Sequence, residues 1–284
     1  MQKNKLLFIL LFLFFFLISF SCKRKPAEIV ITPDALKNHL QNARLYGNVK
    51  NIETSTYYYA SKDSSCFFFS KTIQCFSSDG YLTQVIIFDK NNDTVSLKKI
   101  YYLPNVQENY WEEVNFIEKT KTKDTFLYDK NGFKKEEWLM VNDSILYKIQ
   151  YKTDGIGGII EMKRLLHEYY LTNKIYYNDK GLVERIEEYD PNLKIYKYFT
   201  IEYDNYGVEV NRRAFKANND IIEYTYTQYN NDGLLVKVIF EDRLHNYRED
   251  RIYIQHDTHK NWLEEVVMQG DDTLKRRVRQ IEYY

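Results

Sequence analysis

The sequence repeats one short pattern along most of its length. An aromatic residue, replaced once by histidine, recurs at intervals of 26 or 27 residues, with a single interval of 23. A period between about 20 and 50 residues indicates an array of supersecondary units that stack side by side. We call these nine positions the repeat core aromatics: Phe76, Tyr102, Tyr128, Tyr151, Tyr177, Tyr203, Tyr229, His256 and Tyr283.

Most units carry a glycine four residues after the repeat core aromatic. Aspartate or asparagine often lies between the two, as at Asp129, Asn178 and Asn230. These segments predict tight hairpin turns, because Asx side chains accept local backbone hydrogen bonds and glycine adopts the positive φ that such turns need. The predicted turn glycines are Gly80, Gly132, Gly155, Gly181, Gly207 and Gly233.

The residues between the turns alternate between apolar and polar. Phe199, Ile201 and Tyr203 alternate with polar residues such as Glu202. A period of two predicts a strand with one buried and one wet face. Two strands of about nine or ten residues and two turns fill one period. We therefore predict an all-β fold, in which antiparallel β-hairpin repeats cover residues 49–284 as one domain.

These hairpins are predicted to pair side by side into one long twisted or rolled sheet of some sixteen strands. Strand twist must coil such a sheet or fold it over its apolar face, and the pattern leaves both outcomes open. The final strand carries several cations, and we expect it to be a charged edge that discourages further pairing. These cations are Lys275, Arg276, Arg277 and Arg279.

The N-terminus has the pattern of an export signal. Lys3 and Lys5 precede an unbroken apolar run over residues 6–20, which is shorter than the ~20 residues of a membrane span and predicts a signal peptide over residues 1–21. Ser19, Ser21 and Cys22 resemble the cleavage box of bacterial lipoproteins, and the resemblance implies that Cys22 is lipidated. An ordinary secretory signal with an incidental cysteine is the alternative.

The lipoprotein resemblance also implies an address. No aspartate follows Cys22, so the resemblance implies a lipid-anchored protein of the bacterial cell envelope, at the periplasmic side of the outer membrane. Residues 22–48 are predicted to be a tether with a short N-terminal helix over residues 31–43, which Thr32 caps and Pro33 begins.

Two further cysteines follow in the predicted mature chain. Cys66 and Cys75 are nine residues apart, about 30 Å along one extended strand, whereas a disulfide needs Cα atoms within about 7 Å. Only a hairpin turn between them would allow a bridge, and the repeat register favours a continuous strand there. The sequence leaves the pairing open.

The turn motif resembles a known family. Tyr203-Asp204 with Gly207, and Tyr128-Asp129 with Gly132, resemble the YD repeats of the RHS family, whose hairpins build long β-sheets that spiral into shells. The chain is also distantly similar to MORN-type repeats of a family of antitoxins. Neither resemblance implies a catalytic residue or a cofactor.

Catalytic and metal-binding patterns are not evident. His256, Asp257 and His259 fall on a core position and a turn of the repeat, without an evident third ligand. Adjacent carboxylates are expected to point to opposite faces of a strand and to be solvated opposite lysines. They are Glu136 and Glu137, Glu187 and Glu188, and Glu264 and Glu265. We predict that the chain is not an enzyme and needs no metal or cofactor.

Aromatic runs suggest a surface role. Tyrosine occurs 27 times, and acidic and basic residues balance at 40 each, which gives no general attraction for nucleic acid. The runs at 57–59, 67–69 and 169–170 break the alternation, so some rings must lie on the wet face unless both faces are partly buried.

Exposed rings can stack on sugars or anchor a partner. The leading hypothesis is a binding or scaffold surface for a protein or glycan, attached to the membrane by its lipid. The alternatives are an accessory or immunity-type component of a polymorphic-toxin system and a carbohydrate-active enzyme.

Overall fold

The computed structural model describes residues 45, 47–59, 66–103, 107–155, 157–166, 169–205 and 207–284, with the backbone alone at 66–69, 166 and 169. The predicted signal peptide, Cys22 and the predicted helix at 31–43 lie outside the described residues. Among the described residues there is no helix that is long and apolar enough to cross a membrane.

The described chain forms eighteen strands, all antiparallel to their neighbours. Because apolar and polar residues alternate along most segments, and successive side chains of a strand point to opposite faces, most strands have two different sides. The strands are β1 (Val49–Tyr59), β2 (Cys66–Phe76), β3 (Leu82–Phe88), β4 (Thr94–Tyr102), β5 (Glu108–Asn115), β6 (Thr120–Tyr128), β7 (Lys134–Val141), β8 (Ser144–Thr153), β9 (Ile159–Leu166), β10 (Tyr169–Tyr177), β11 (Val183–Tyr189), β12 (Ile195–Tyr203), β13 (Glu209–Lys216), β14 (Ile221–Tyr229), β15 (Leu235–Asp242), β16 (Tyr247–His256), β17 (Trp262–Gln269) and β18 (Asp272–Tyr283).

The sheet is a closed barrel. Consecutive strands pair along the chain, and β18 pairs with β1, so that every strand has two neighbours. The prediction of an all-β antiparallel fold is confirmed, but the sheet closes and has eighteen strands, not some sixteen. Closure removes the two open edges, which would otherwise expose unpaired backbone groups.

The predicted charged edge at the last strand is therefore wrong. β18 lies between β17 and β1, and its cations point to both sides of the sheet. Arg276 and Arg277 pair with Glu264 and Glu265 of β17 at 2.8 and 2.5 Å. Paired on both sides, this strand seals the ring.

The repeat core aromatics lie at the ends of the even-numbered strands. Eight of the nine are the last residue of their strand, and Tyr151 lies two residues before the end of β8. Positive φ occurs at Gly80, Gly132, Gly181, Gly207 and Gly233. In the β8 unit it is Gly157, with φ 91°, and not Gly155, because β8 continues to Thr153 and moves the turn.

The side chains of the barrel fall into two sets. We call inner wall the side that carries Ile52, Glu137, Ile149, Ile186 and Val267, each at most 2% exposed. The alternate positions, which we call the outer wall, are mostly half-buried or exposed. Because side chains converge on the concave side of a closed sheet and diverge on the convex side, the buried set faces inward.

Three apolar clusters line the inner wall. One joins β1 to β2 and β3 around Ile52, one lies on β5–β8 around Ile149, and one lies on β11–β14 around Ile186. Each cluster spans neighbouring strands, and burial of such side chains stabilises the fold by about 1.5–3 kcal/mol each. The core is therefore distributed around the ring.

The phenol hydroxyls of the repeat core aromatics fix the hairpins. Four of these hydroxyls donate at 2.6–2.8 Å to the carbonyl oxygen of the first residue of the preceding strand. They belong to Tyr102, Tyr128, Tyr177 and Tyr203. In the β16 unit, Nε2 of His256 lies 3.0 Å from the carbonyl oxygen of Leu235. Histidine therefore replaces tyrosine as a hydrogen-bonding group at this position.

The cysteine pattern fits one strand. Both Cys66 and Cys75 lie in β2, and Cys75 is a free thiol. Burial raises the pKa of the Cys75 thiol, so it is less reactive than an exposed cysteine.

Candidate functional site

The outer wall carries cross-strand charge pairs. Lys148 lies 3.0 Å from Glu136, Lys123 lies 3.3 Å from Glu112, and Lys237 lies 2.7 Å from Asp250. These side chains sit on neighbouring strands, where opposite charges stabilise the sheet. The outer wall is therefore a mixed, charged surface with aromatic rings between the charges.

Rings concentrate on the outer wall of β10–β13. We call this the aromatic patch; its members are Tyr176, Tyr189, Tyr198 and Phe215, with the fixed polar side chains of Lys174, Arg185 and Glu187. In the register of the four strands, Lys174, Glu187, Tyr198 and Phe215 form one row, and Tyr176 and Arg185 lie in the next. The patch is therefore contiguous across four strands.

Stacking orders one half of the patch. The rings of Tyr198 and Phe215 are stacked with centroids 4.7 Å apart, and the guanidinium of Arg185 lies 4.2 Å from the centroid of Tyr198. Tyr176 remains 40% exposed, and Tyr170 near the start of β10 is 47% exposed. The patch thus combines the stacked rings of Tyr198 and Phe215 with the ring of Tyr176, which a ligand can reach.

The carboxylate of Glu187 lies at the centre of the aromatic patch and orders its other half through hydrogen bonds. Glu187 accepts hydrogen bonds from the hydroxyls of Tyr189 and Tyr176 at 2.6 and 2.8 Å, and from Arg185 at 2.9 Å. Burial alone would raise the pKa of Glu187, but these three donors outweigh it and the pKa is lowered. Glu187 is consequently an ionised acceptor at neutral pH, held in one orientation.

A smaller aromatic pair lies elsewhere on the outer wall. Tyr101 of β4 and Tyr110 of β5 are stacked with centroids 4.4 Å apart, and Nζ of Lys123 lies 4.1 Å from the centroid of Tyr110. Tyr101 is 38% exposed. This pair lacks the fixed carboxylate that the aromatic patch has.

The inner wall holds acidic groups that sequence reasoning placed in solvent. Glu137 is 1% exposed and accepts from Tyr151 at 2.5 Å and from Lys134 at 3.1 Å. Asp124 nearby is 3% exposed, and its Oδ1 has no hydrogen-bond partner among the described residues. Burial, and then repulsion from Glu137, raise the pKa of Asp124 to about 9.

The adjacent carboxylates do point to opposite walls. Glu136 pairs with Lys148 outside while Glu137 is buried inside, and Glu265 is buried at 1% whereas Glu264 pairs with Arg276. The expectation that these carboxylates are solvated is therefore wrong for Glu137 and Glu265, and also for Glu187 and Glu188, which are 8% and 9% exposed. Glu137 and Glu265 lie two residues before the apolar Leu139 and Val267, so the alternation along each strand placed them on the buried side.

The histidines serve the repeat. His256 bonds to a backbone carbonyl as described, and His259 stacks on Tyr283 with centroids 4.2 Å apart. Among the described residues, no group of three or more histidine, cysteine or acidic side chains is placed to hold a metal ion.

The sequence hypothesis of exposed rings named no member of the aromatic patch. It pointed to the run at 169–170, of which Tyr170 is exposed, but not to Tyr176, Tyr189 or Tyr198. These residues lie at outer-wall positions of successive strands. The signal available for them was an aromatic residue in phase with the polar positions of each strand.

Comparisons with known proteins give distant likenesses only. No protein-family model matches the sequence, and no curated protein matches it. A porin-like protein from Bacteroides uniformis is similar with a TM-score of 0.46 and 11% identity, over 84% of this chain and 99% of that one.

Two other solved structures are more distant. TcdB2-TccC3-TEV is similar with a TM-score of 0.37 and 10% identity, over 80% of this chain and 16% of that one. A porin-like protein from Bacteroides vulgatus has a TM-score of 0.34 and 11% identity, over 81% of this chain and 97% of that one. At this distance they assign no role to any residue.

Proposed function

We propose that this chain is a lipid-anchored β-barrel of the bacterial cell envelope that binds a glycan on its outer wall, without catalysis. The observation that carries the proposal is the aromatic patch, where the exposed ring of Tyr176 lies beside a carboxylate and a guanidinium in fixed positions. Cys22 would provide the attachment to the membrane, and the barrel would stand in water beside it.

The charges of the outer wall support a barrel in water. Lys123, Lys148 and Lys237 lie within strands, on the side that lipid would contact in a membrane barrel. A lysine on the lipid-facing side costs about 2–4 kcal/mol at the middle of a bilayer. A wall with this many charged pairs is stable in water, and the lipid anchor supplies membrane attachment without a spanning segment.

The shape and chemistry of the patch favour a sugar. A sugar ring presents flat C–H faces, which suit the exposed ring of Tyr176, and hydroxyls, which suit a carboxylate acceptor and a guanidinium donor. Glu187 and Arg185 are already oriented by their mutual contact at 2.9 Å, so a ligand would order few side chains on binding. Such preorganisation raises affinity by lowering the entropic cost.

The electrostatics of the patch fit binding better than hydrolysis. A general acid at neutral pH needs a raised pKa, whereas the pKa of Glu187 is lowered. The carboxylate serves as a hydrogen-bond acceptor. This supports a non-catalytic role for the patch.

A glycan array with the full chain in detergent tests the proposal. We expect at least one bound glycan, with affinity reduced about tenfold by Tyr176→Ala, the loss typical of an exposed aromatic contact of about 1.4 kcal/mol. Tyr226→Ala is the matched control, since Tyr226 is also an outer-wall tyrosine and is 37% exposed. Silence across the array, or equal loss in both variants, would refute the proposal.

A further inference from the structure

The inner wall of β16–β18 has an excess of positive charge. Its cations are Arg251, Lys275, Arg277 and Arg279, and its carboxylates are Glu249 and Glu265. Arg251 pairs with Glu249 and Arg277 pairs with Glu265, each at 2.5 Å. These two ion pairs leave the charges of Lys275 and Arg279 in excess.

Arg279 is the unpaired group at the centre of this excess. No described residue forms a hydrogen bond or an ion pair with it, and its Nε and Nη1 are buried without a partner. Its guanidinium lies flat on Trp262, 3.4 Å from the ring centroid. Burial lowers the pKa of Arg279 to about 10, so the group is charged at neutral pH.

A buried guanidinium without an acceptor is costly. A buried donor left unsatisfied costs about 1–3 kcal/mol, and more when it is charged. Native proteins satisfy such groups with an acceptor from the protein, from ordered water or from a bound ion. The stack on Trp262 covers one face of the guanidinium but accepts none of its N–H bonds.

The neighbouring strand presents hydroxyls to this region. In the β1–β18 register, Thr54 lies opposite Arg279 and Thr56 lies opposite Arg277. Opposite residues of an antiparallel pair are on the same side, with Cβ atoms about 4.5–5.5 Å apart. The hydroxyls of Thr54 and Thr56 are therefore on the inner wall beside the cations.

We propose that Arg279 and the hydroxyl of Thr54 form an inner-wall site for a phosphate or sulfate group, and that the further positive charge of Lys275 on the same wall favours a doubly charged anion. Charge-assisted hydrogen bonds from a guanidinium to an oxyanion are among the strongest in proteins. A phosphate monoester carries a charge of about −1.5 to −2 at neutral pH, which matches the excess of two positive charges. A single carboxylate would neutralise only half of that excess.

This site is separate from the proposed glycan surface, because it uses the inner wall of β18 and β1 and not the outer wall of β10–β13. Arg279 and Lys275 lie on β18, and Thr54 lies on the neighbouring β1. A tetrahedral anion with several acceptor oxygens can satisfy such donors together, whereas a planar carboxylate offers two oxygens in one plane.

Isothermal titration calorimetry of the full chain in detergent, with inorganic phosphate at constant ionic strength, tests the site. We expect saturable binding at one site per chain, and at least a tenfold weaker Kd in Arg279→Gln. The matched control is Arg276→Gln on the same strand, which faces the outer wall and pairs with Glu264. Its Kd for phosphate should stay within twofold of the unmodified protein.

Titrations with sulfate and with acetate distinguish a site for a doubly charged anion from a site for a singly charged one. Sulfate should bind comparably to phosphate, and acetate should bind at least tenfold more weakly, because it carries one charge. Acetate binding as tightly as phosphate would overturn the assignment to a doubly charged anion. Absence of saturable phosphate binding, or equal affinities of Arg279→Gln and Arg276→Gln, would overturn the site itself.

A second variant keeps the test valid if Arg279→Gln does not fold. Thr54→Val preserves the shape of the side chain and removes only its hydroxyl. We expect a severalfold weaker Kd for phosphate in Thr54→Val, with an unchanged circular dichroism spectrum. An unchanged Kd in this variant would remove Thr54 from the site and contradict the proposal as stated.

Discussion

Replacing Asp124 by asparagine should make the stability of the barrel less dependent on pH. Asp124 lies on the inner wall of β6, with Trp111 and Leu139 opposite it on the neighbouring strands. Burial is the main reason that its pKa is raised to about 9; Glu137 and Glu108 add to the shift, and Lys134 and Lys98 oppose it. The folded protein therefore holds a proton on this carboxyl at neutral pH.

The sign and size of the effect follow from proton linkage. An unfolded aspartate has a pKa near 3.9, so between about pH 5 and 8 the folded state binds one more proton than the unfolded state. The free energy of unfolding then falls by about 1.4 kcal/mol for each pH unit. Asparagine has the same shape and binds no proton, so the Asp124→Asn variant lacks this contribution.

Urea unfolding at pH 5.5, 6.5, 7.5 and 8.5 measures how the free energy of unfolding depends on pH. The free energy of unfolding of Asp124→Asn minus that of the unmodified protein should grow by about 1.4 kcal/mol per pH unit, or about 4 kcal/mol over the range. Asp250→Asn is the control, since Lys237 and Arg248 outweigh burial and lower the pKa of Asp250. Its stabilisation is lost only below about pH 4, so its difference should be flat. A flat difference for Asp124→Asn would refute the reasoning.

Three other outcomes are expected. Tyr203→Phe should lower the free energy of unfolding in urea by about 1 kcal/mol, because it removes a hydrogen bond of 2.7 Å to the backbone; no change would mean that this bond is replaced by water. Gly157→Ala should lower the melting temperature clearly, since φ is 91° and the new Cβ would lie 2.6 Å from the ring of Phe133, whereas Gly155→Ala meets no atom within 4 Å and should be neutral; equal melting would contradict this. Cys22→Ser should move the protein from membrane to soluble fractions on cell fractionation, and persistence in membranes would contradict lipidation.

The hairpins were predictable because they are local. Nine repeat core aromatics mark nine hairpins, and the predicted start of the repeats at residue 49 is the first residue of β1. The prediction of a turn glycine at Gly155 is wrong because Gly157, in the same turn, takes the positive φ. There, β8 continues two residues past Tyr151, and the spacing of the motif alone does not report strand length.

Closure of the sheet was not predictable from the repeat. It depends on contacts between residues far apart in sequence, such as the 2.6 Å ion pair between Lys50 and Glu282. A local period reports each strand's neighbours along the chain and gives no information about the partner of the first strand. The resemblance to YD repeats and the lipid anchor at Cys22 stay predictions.

The buried charges were missed for a different reason. Glu137 is in phase with Leu139, and Arg279 is in phase with Ile281, so the alternation placed both on the inner wall. Glu137 was instead predicted to be solvated and Arg279 to lie on a charged edge, since charged side chains are rarely buried. In a barrel of eighteen strands the inner wall is long enough to contain polar groups as well as apolar clusters.

The pairing of β1 with β18 has a consequence for how the barrel assembles. Until β18 is available, β1 has only one neighbour, and any shorter chain ends in a sheet with two bare edges. Such edges recruit other chains into mixed sheets. The incomplete ring is therefore protected from such pairing only once the final hairpin arrives and the two ends join.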